Sequence, residues 1–229
     1  LDEVVMAHEE NKAFLRRVPL FSSLTEMQLD NVAAGSARRS YPKGRTIVAE
    51  GEASQSMYIL LAGRAKVQRS DSEGKEVILA VIGSGEFFGE MSLIDDAPRS
   101  ASVITLEPCE FMAITKDAFK GVLMQSPETS MAVMRGLVRR LREADMKIET
   151  LALLDVYGRV ARVLLDFSEL VGGQRIVRNK LPRQEIAKMI GASREMVSRV
   201  MKGLEIDGYI VSMPQGQLML REKLSNYIS

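Results

Sequence analysis

The sequence is short of the residues that build metal centres and covalent cross-links. A single cysteine, Cys109, excludes an internal disulfide and an iron–sulfur cluster, which needs several thiolates. A single histidine, His8, lies near the start, so a zinc site built from His and Cys is nearly excluded. Counting leaves haem open, but nothing recommends it, and no prosthetic group is expected. No apolar run approaches the roughly 18 residues of a membrane span. The opening LDEVVMAHEENK is charged rather than signal-like. The expected location is the cytoplasm, with no membrane partner. There is no P-loop, no metal cluster and no nucleophile–base constellation, and one His leaves few general bases, so an enzyme is not expected.

Net charge is also nearly absent, because 31 Lys and Arg face 30 Asp and Glu. Its placement is uneven, however. From Asp155 onward the bases outnumber the acids, and before it the acids have the edge. A basic tail suits a polyanion partner.

Three textures follow one another. Residues 1–35 read as short helices, with apolar positions at Phe14, Leu15, Val18, Leu20 and Phe21, then Leu24, Leu29 and Val32. From residue 40 to about 115 the texture is that of strands. Runs such as SMYILLAGRAKVQRS and KEVILAVIG alternate with turns at Pro42-Lys43-Gly44, at residues 71–74 and at Gly83-Ser84-Gly85, which suggests a β-barrel or roll. Then the period lengthens. Met134, Leu141 and Ile148 fall seven apart, with Leu137, Ala144 and Leu151 three residues on. That is a heptad seam, expected to pair with a second copy. The alternative is an amphipathic helix packed on its own domain. After Asp155, a plausible N-cap, a helix is expected to run to about Leu170 and stop at Gly172-Gly173.

The segment LPRQEIAKMIGASREMVSRVMKGLEIDGYI reads as two short helices, Arg183–Ile190 and Arg194–Leu204, around Gly191-Ala192-Ser193. Ile186, Ala187 and Ile190 give the first an apolar face; Met196, Val197, Val200 and Leu204 do so for the second. A hairpin turning at Pro214-Gln215-Gly216 follows, so the pattern is a helix-turn-helix with a wing. The second helix exposes Arg194, Glu195, Ser198, Arg199 and Lys202. Arginine can hold guanine O6 and N7 together, and glutamate can accept from cytosine N4. The competing reading is a solvated face tied by ordinary salt bridges.

The stretch FFGEMSLIDDAPRSASV places Gly89, Glu90, Arg99 and Ser100 where strands give way to a short helix. Gly89 lets backbone approach a ligand, Arg99 and Ser100 suit a phosphate, and Glu90 suits a ribose hydroxyl. A structural Glu90–Arg99 ion pair is the alternative.

These residues carry a resemblance to the Crp–Fnr superfamily of bacterial regulators, over nearly the whole chain. FGEMSLIDDAPRSA is similar to the phosphate-binding cassette of its cyclic-nucleotide domains, and SREMVSRVMKGLE to its recognition helix. The resemblance implies an α+β fold: a cyclic-nucleotide-binding β-roll over residues 1–128, a dimerisation helix over 129–154 and a winged helix-turn-helix over 155–229. It also implies a homodimer on double-stranded DNA, with RNA polymerase as a further partner. Gly89, Glu90, Arg99 and Ser100 match ribose-phosphate contacts. Arg194, Glu195 and Arg199 match the base-reading trio, Arg183 a phosphate contact, and the expected site is a TGTGA-like palindrome. The effector would be a cyclic nucleotide: cyclic AMP, cyclic GMP or cyclic di-GMP. One departure stands out. Where the cyclic-AMP-binding branch has a Thr-Ser pair contacting adenine, this chain has Ala144 and Asp145. A carboxylate at Asp145 can accept from guanine N1–H and N2–H, which points to a guanine effector. The alternative engages Asp145 with Arg140 of a second copy across the seam. An effector-independent regulator with a vestigial pocket is the rival to ligand gating.

Overall fold

The computed structural model describes residues 2–179 and 181–228. The chain forms two compact units. One takes the chain up to Arg140 apart from Ser72–Ile78; the other takes Ser72–Ile78 with the chain from Leu141 on. The division falls inside the long helix rather than at either of its ends.

In the N-terminal unit, helices α1 (Asp2–Leu15) and α2 (Glu26–Ala34) flank a 3-10 turn at Pro19–Phe21. A capping box starts α2: Thr25 accepts from the Gln28 amide, and the Gln28 side chain accepts from the Thr25 amide. The strands then make two antiparallel four-stranded sheets. One orders β1 (Ser36–Tyr41), β8 (Cys109–Thr115), β3 (Ser56–Ala62) and β6 (Phe87–Phe88). The other orders β2 (Thr46–Val48), β7 (Ser102–Thr105), β4 (Ala65–Ser70) and β5 (Glu76–Ile82).

The strands alternate because each has two differently occupied faces. Leu60, Phe88 and Phe111 fill one cluster with Val48, Ala65, Ile82, Val103 and Cys109. Met57, Ile59, Phe87, Met112 and Ile114 turn the other way, toward Leu15, Phe21, Leu29, Phe119 and Val133. Burying each such side chain contributes about 1.5–3 kcal/mol. A short helix α3 (Met91–Ile94) and helix α4 (Lys116–Gln125) lie among the strands in sequence.

Helix α5 (Pro127–Leu153) carries two faces. Thr129, Val133 and Gly136 are buried, one helical turn apart, on its own unit. Met131, Met134, Val138, Leu141, Ile148 and Leu151 form a second stripe that remains exposed. The first half of the helix therefore does both things the sequence offered as alternatives: it packs on its own domain and still presents an apolar seam.

The C-terminal unit holds α6 (Val156–Asp166), α7 (Arg183–Ile190) and α8 (Arg194–Ile206). Asp155 caps α6, its Oδ1 accepting from the Gly158 amide at 2.8 Å. The expectation that α6 reaches Leu170 is corrected. The helix ends at Asp166, and β9 (Glu169–Val171) and β10 (Gln174–Val177) form a hairpin instead. Gly172 and Gly173, at φ 55° and 80°, supply the two left-handed positions of a tight hairpin turn, so the glycine pair turns strands rather than stopping a helix. With β11 (Ile210–Ser212) and β12 (Leu218–Leu220) they complete a sheet ordered β11-β12-β10-β9. Val160, Ala161 and Leu164 of α6 meet Ile186, Ala187 and Ile190 of α7 and Val197, Val200, Met201 and Leu204 of α8 in one core. Met196, expected in that core, is 37% exposed, and Met201 takes its place.

Candidate functional sites

The FFGEMS segment is built around a buried arginine. Gly89 has φ +84°, and a Cβ there would stand 2.1 Å from Arg99 Nη1. The guanidinium thus lies directly on the glycine, and any side chain would displace it. Arg99 donates from Nη1 to Gly89 O at 2.9 Å and from Nη2 to Ser56 O at 2.5 Å. It also lies 5.9 Å from the Tyr58 ring centroid. Only 6% of Arg99 is exposed, and burial lowers the pKa of its guanidinium below the ordinary value. Ser100, the next residue, faces solvent.

Glu90 is fully buried, at 0% exposure. The sequence left a Glu90–Arg99 pair open, but the carboxylate meets a different arginine: Arg140 Nη1 lies 2.5 Å from Glu90 Oε1. Arg140 Nη2 also donates to Phe87 O, and its guanidinium sits 4.9 Å from the Phe87 ring centroid. The Phe87 ring itself packs on Gly136, where a Cβ would be 2.9 Å from Cζ. Residues 87–90 therefore grip α5 at Gly136 and Arg140. Glu90 Oε2 is buried with no hydrogen-bond partner. Burial raises the Glu90 pKa above the ordinary carboxylate range, against the pull of Arg140 and Arg99.

Arg140 is thus held within its own unit. Ala144 and Asp145, on the following turn of α5, are both exposed. Phe87, Ser56 and Tyr58 have no local motif that marks them. They enter through contacts with residues 41 to 53 positions away.

In the C-terminal unit, Gly191 closes α7 at φ 65°, ψ 38°, and the Ser193 hydroxyl accepts from the Met196 amide at 3.1 Å to start α8. Arg194, Glu195, Ser198, Arg199 and Lys202 are exposed on one side of α8, with Val197, Val200, Met201 and Leu204 buried on the other. Among the described residues no ion pair ties Arg194, Glu195, Arg199 or Lys202. Arg183, at the first position of α7, is half-buried. The hairpin of β11 and β12 turns through Pro214–Gly216, with Met213 N donating to Gln217 O at 2.9 Å.

Among the described residues one cluster could hold a metal: ligand atoms of His8, Glu9 and Asp30 lie within 4.8 Å of one another. Lys12 Nζ already stands 2.5 Å from Asp30 Oδ1, so an ammonium occupies that carboxylate. No described helix is long and apolar enough to cross a membrane.

Comparison with known proteins agrees with this layout. Residues 38–126 match the cyclic nucleotide-binding domain, and residues 158–227 match the Crp-like helix-turn-helix domain. The chain is 34% identical over 204 residues to the cyclic AMP receptor protein of Thermus thermophilus, covering 89% of this chain and 93% of that one. It is 35% identical over 209 residues to the cAMP-activated global transcriptional regulator of Haemophilus influenzae, covering 90% and 89%. Among solved structures, the c-di-GMP responsive global regulator CLP of Xanthomonas campestris superposes with a TM-score of 0.73. That protein is 29% identical, with 86% of this chain and 99% of that chain covered. The chain belongs to the Crp–Fnr family of transcription regulators, a cyclic nucleotide-binding domain joined by a long helix to a Crp-like helix-turn-helix domain.

Proposed function

We propose that this chain is a homodimeric, sequence-specific DNA-binding regulator gated by a cyclic nucleotide. The observation that carries the reading is Glu90 Oε2, a fully buried carboxylate oxygen without a partner beside a buried arginine. A buried polar atom left unsatisfied is unfavourable, and a ribose hydroxyl would satisfy it. Arg99 uses two of its five N–H groups on carbonyls, leaving donors for a phosphate, with Ser100 adding a hydroxyl at the rim. The grip of residues 87–90 on Gly136 and Arg140 gives the ligand a route to α5, whose exposed stripe is the dimer seam. Ligand would act by making different contacts in two dimer states.

A guanine effector, cyclic di-GMP or cyclic GMP, fits better than cyclic AMP. Arg140 spends two of its donors on Glu90 and the Phe87 carbonyl of its own unit, which draws it away from the cross-seam pairing that would otherwise account for Asp145. Asp145 is left exposed as an acceptor for guanine N1–H and N2–H. Calorimetry with cyclic AMP, cyclic GMP and cyclic di-GMP tests this, followed by gel shifts on a TGTGA palindrome with each nucleotide. The expected result is heat with a guanine nucleotide and a shift in operator affinity; identical operator affinity under all conditions would sink the gating.

The second reading, a regulator that needs no effector, draws on Arg99 and Glu90 already having partners within the chain. It predicts no heat with any of the three.

Arg194, Glu195 and Arg199 would read bases, with Arg183, Ser198 and Lys202 contacting backbone or flanking edges. Glu195→Ala is expected to relax preference at one base pair, by about 1–3 kcal/mol. Selection from a randomised half-site measures it, and an unchanged consensus would count against major-groove reading by α8. RNA polymerase is the proposed protein partner and the cytoplasm the proposed location.

A further inference from the structure

The loop that presents Arg99 is held from its far side. After α3 the chain runs Asp95-Asp96-Ala97-Pro98 into Arg99. Asp96 has φ 57°, a left-handed conformation that Asp and Asn enter more readily than other side-chain-bearing residues. Within the loop, Asp95 Oδ1 accepts from the Ala97 amide at 3.0 Å. The Asp96 carboxylate turns the other way, to α4. Its Oδ1 accepts from Lys116 Nζ at 2.5 Å and Lys120 Nζ at 3.2 Å, and its Oδ2 from Lys120 Nζ at 3.3 Å. Lys116 and Lys120 stand one turn apart on α4. Their hydrogen bonds hold the Asp96 carboxyl below the ordinary carboxylate range, so it is ionised throughout neutral pH.

The other side of the loop is pinned by backbone. Arg99 N donates to Glu52 O, and Gly51 N to Arg99 O, both at 2.9 Å. Lys116 N donates to Gln55 O at 2.9 Å, which ties the start of α4 to the residue before Ser56. Ser56 O is the carbonyl that receives Arg99 Nη2. The two lysines and the carbonyl that orients the guanidinium are thus fixed to one another.

We propose that Asp96, held by Lys116 and Lys120, is a positioning residue for the phosphate grip, fixing the loop in the conformation that presents Arg99. The proposal rests on the nucleotide reading of the pocket and adds to it a part played by α4. Asp96 does not touch the ligand; it acts through Arg99.

The test uses the full chain and three variants: Asp96→Asn, which keeps the left-handed preference but loses the charge, Lys116→Met/Lys120→Met, and the triple substitution. Hydrogen exchange at the Arg99 amide is read in the free protein, and affinity for cyclic AMP, cyclic GMP and cyclic di-GMP by calorimetry. Exchange is expected to quicken in the first two variants, and affinity for the nucleotide that binds to fall about fivefold in each. The triple variant should be no worse than either, because one interaction can be lost only once. Lys116→Arg/Lys120→Arg should stay near wild type in both readouts. Unchanged Arg99 exchange in Asp96→Asn overturns the proposal, as do additive losses or faster exchange with undiminished affinity. Should the unaltered chain bind none of the three nucleotides, the pocket reading fails by itself, while the exchange measurement still decides whether Asp96 holds the loop.

Discussion

Replacing Arg99 with alanine is expected to abolish the heat of cyclic-nucleotide binding, with a loss of affinity above a hundredfold. The guanidinium is 6% exposed and already oriented by Gly89 O and Ser56 O before any anion arrives. An anion therefore meets a fork that has lost most of its side-chain freedom, and little ordering entropy remains to oppose binding. Hydrogen bonds to charged groups contribute about 1.5–3 kcal/mol each, so losing a bidentate pair removes about 3 kcal/mol or more, which is over a hundredfold. The change also frees the Gly89 and Ser56 carbonyls, so a shift in fold stability must be separated from the loss of binding. Arg99→Lys does this. It keeps a cation and fills most of the space, but a single ammonium cannot hold two carbonyls and a phosphate in one plane. Binding by Arg99→Lys should fall between wild type and Arg99→Ala, with the melting temperature of both variants measured alongside. Wild-type heat from Arg99→Ala would remove the phosphate role outright.

The features that were legible in the sequence are those with a local signature. Gly191 and Ser193 mark the break between α7 and α8 because a left-handed residue followed by a hydroxyl cap is written in adjacent letters. The cassette from Gly89 to Ser100 is likewise a short string. The β9–β10 hairpin was also locally encoded, but the glycine pair was read as a helix stop; Glu169 to Val177, flanking two glycines, carries the two-residue hairpin pattern. Contacts made across sequence distance were not legible. Arg140 sits at a heptad position that local periodicity assigns to the seam, yet its partner Glu90 is 50 residues away. Nothing in the helix repeat reveals a carboxylate arriving from a strand end. The same holds for Asp96, whose lysines lie 20 and 24 residues on and belong to a different element.

Leu141→Glu combined with Ile148→Glu is expected to convert the protein to monomers and to remove tight binding to a palindrome. Leu141 and Ile148 are 62% and 66% exposed and seven residues apart. Solvent exposure of this kind on successive turns is unfavourable unless a partner buries it, and a second α5 would present the matching surface across a two-fold axis. Each substitution counts twice in a symmetric dimer. Losing about 1.5 kcal/mol per buried side chain already sums to about 6 kcal/mol, before the cost of placing carboxylates opposite one another. Such a loss exceeds a ten-thousandfold change in association. Folding of the separate units should survive, because neither residue belongs to a buried cluster. Arg142→Glu, a charge change of similar kind outside the stripe, serves as the control. Sedimentation equilibrium reads the association directly, and gel shifts on half-site and palindromic DNA read its consequence. The variant should retain weak half-site binding through Arg194, Glu195 and Arg199 while losing the gain from joining two half-sites. A variant that remains dimeric would place the interface elsewhere and leave the exposed stripe of α5 without a partner.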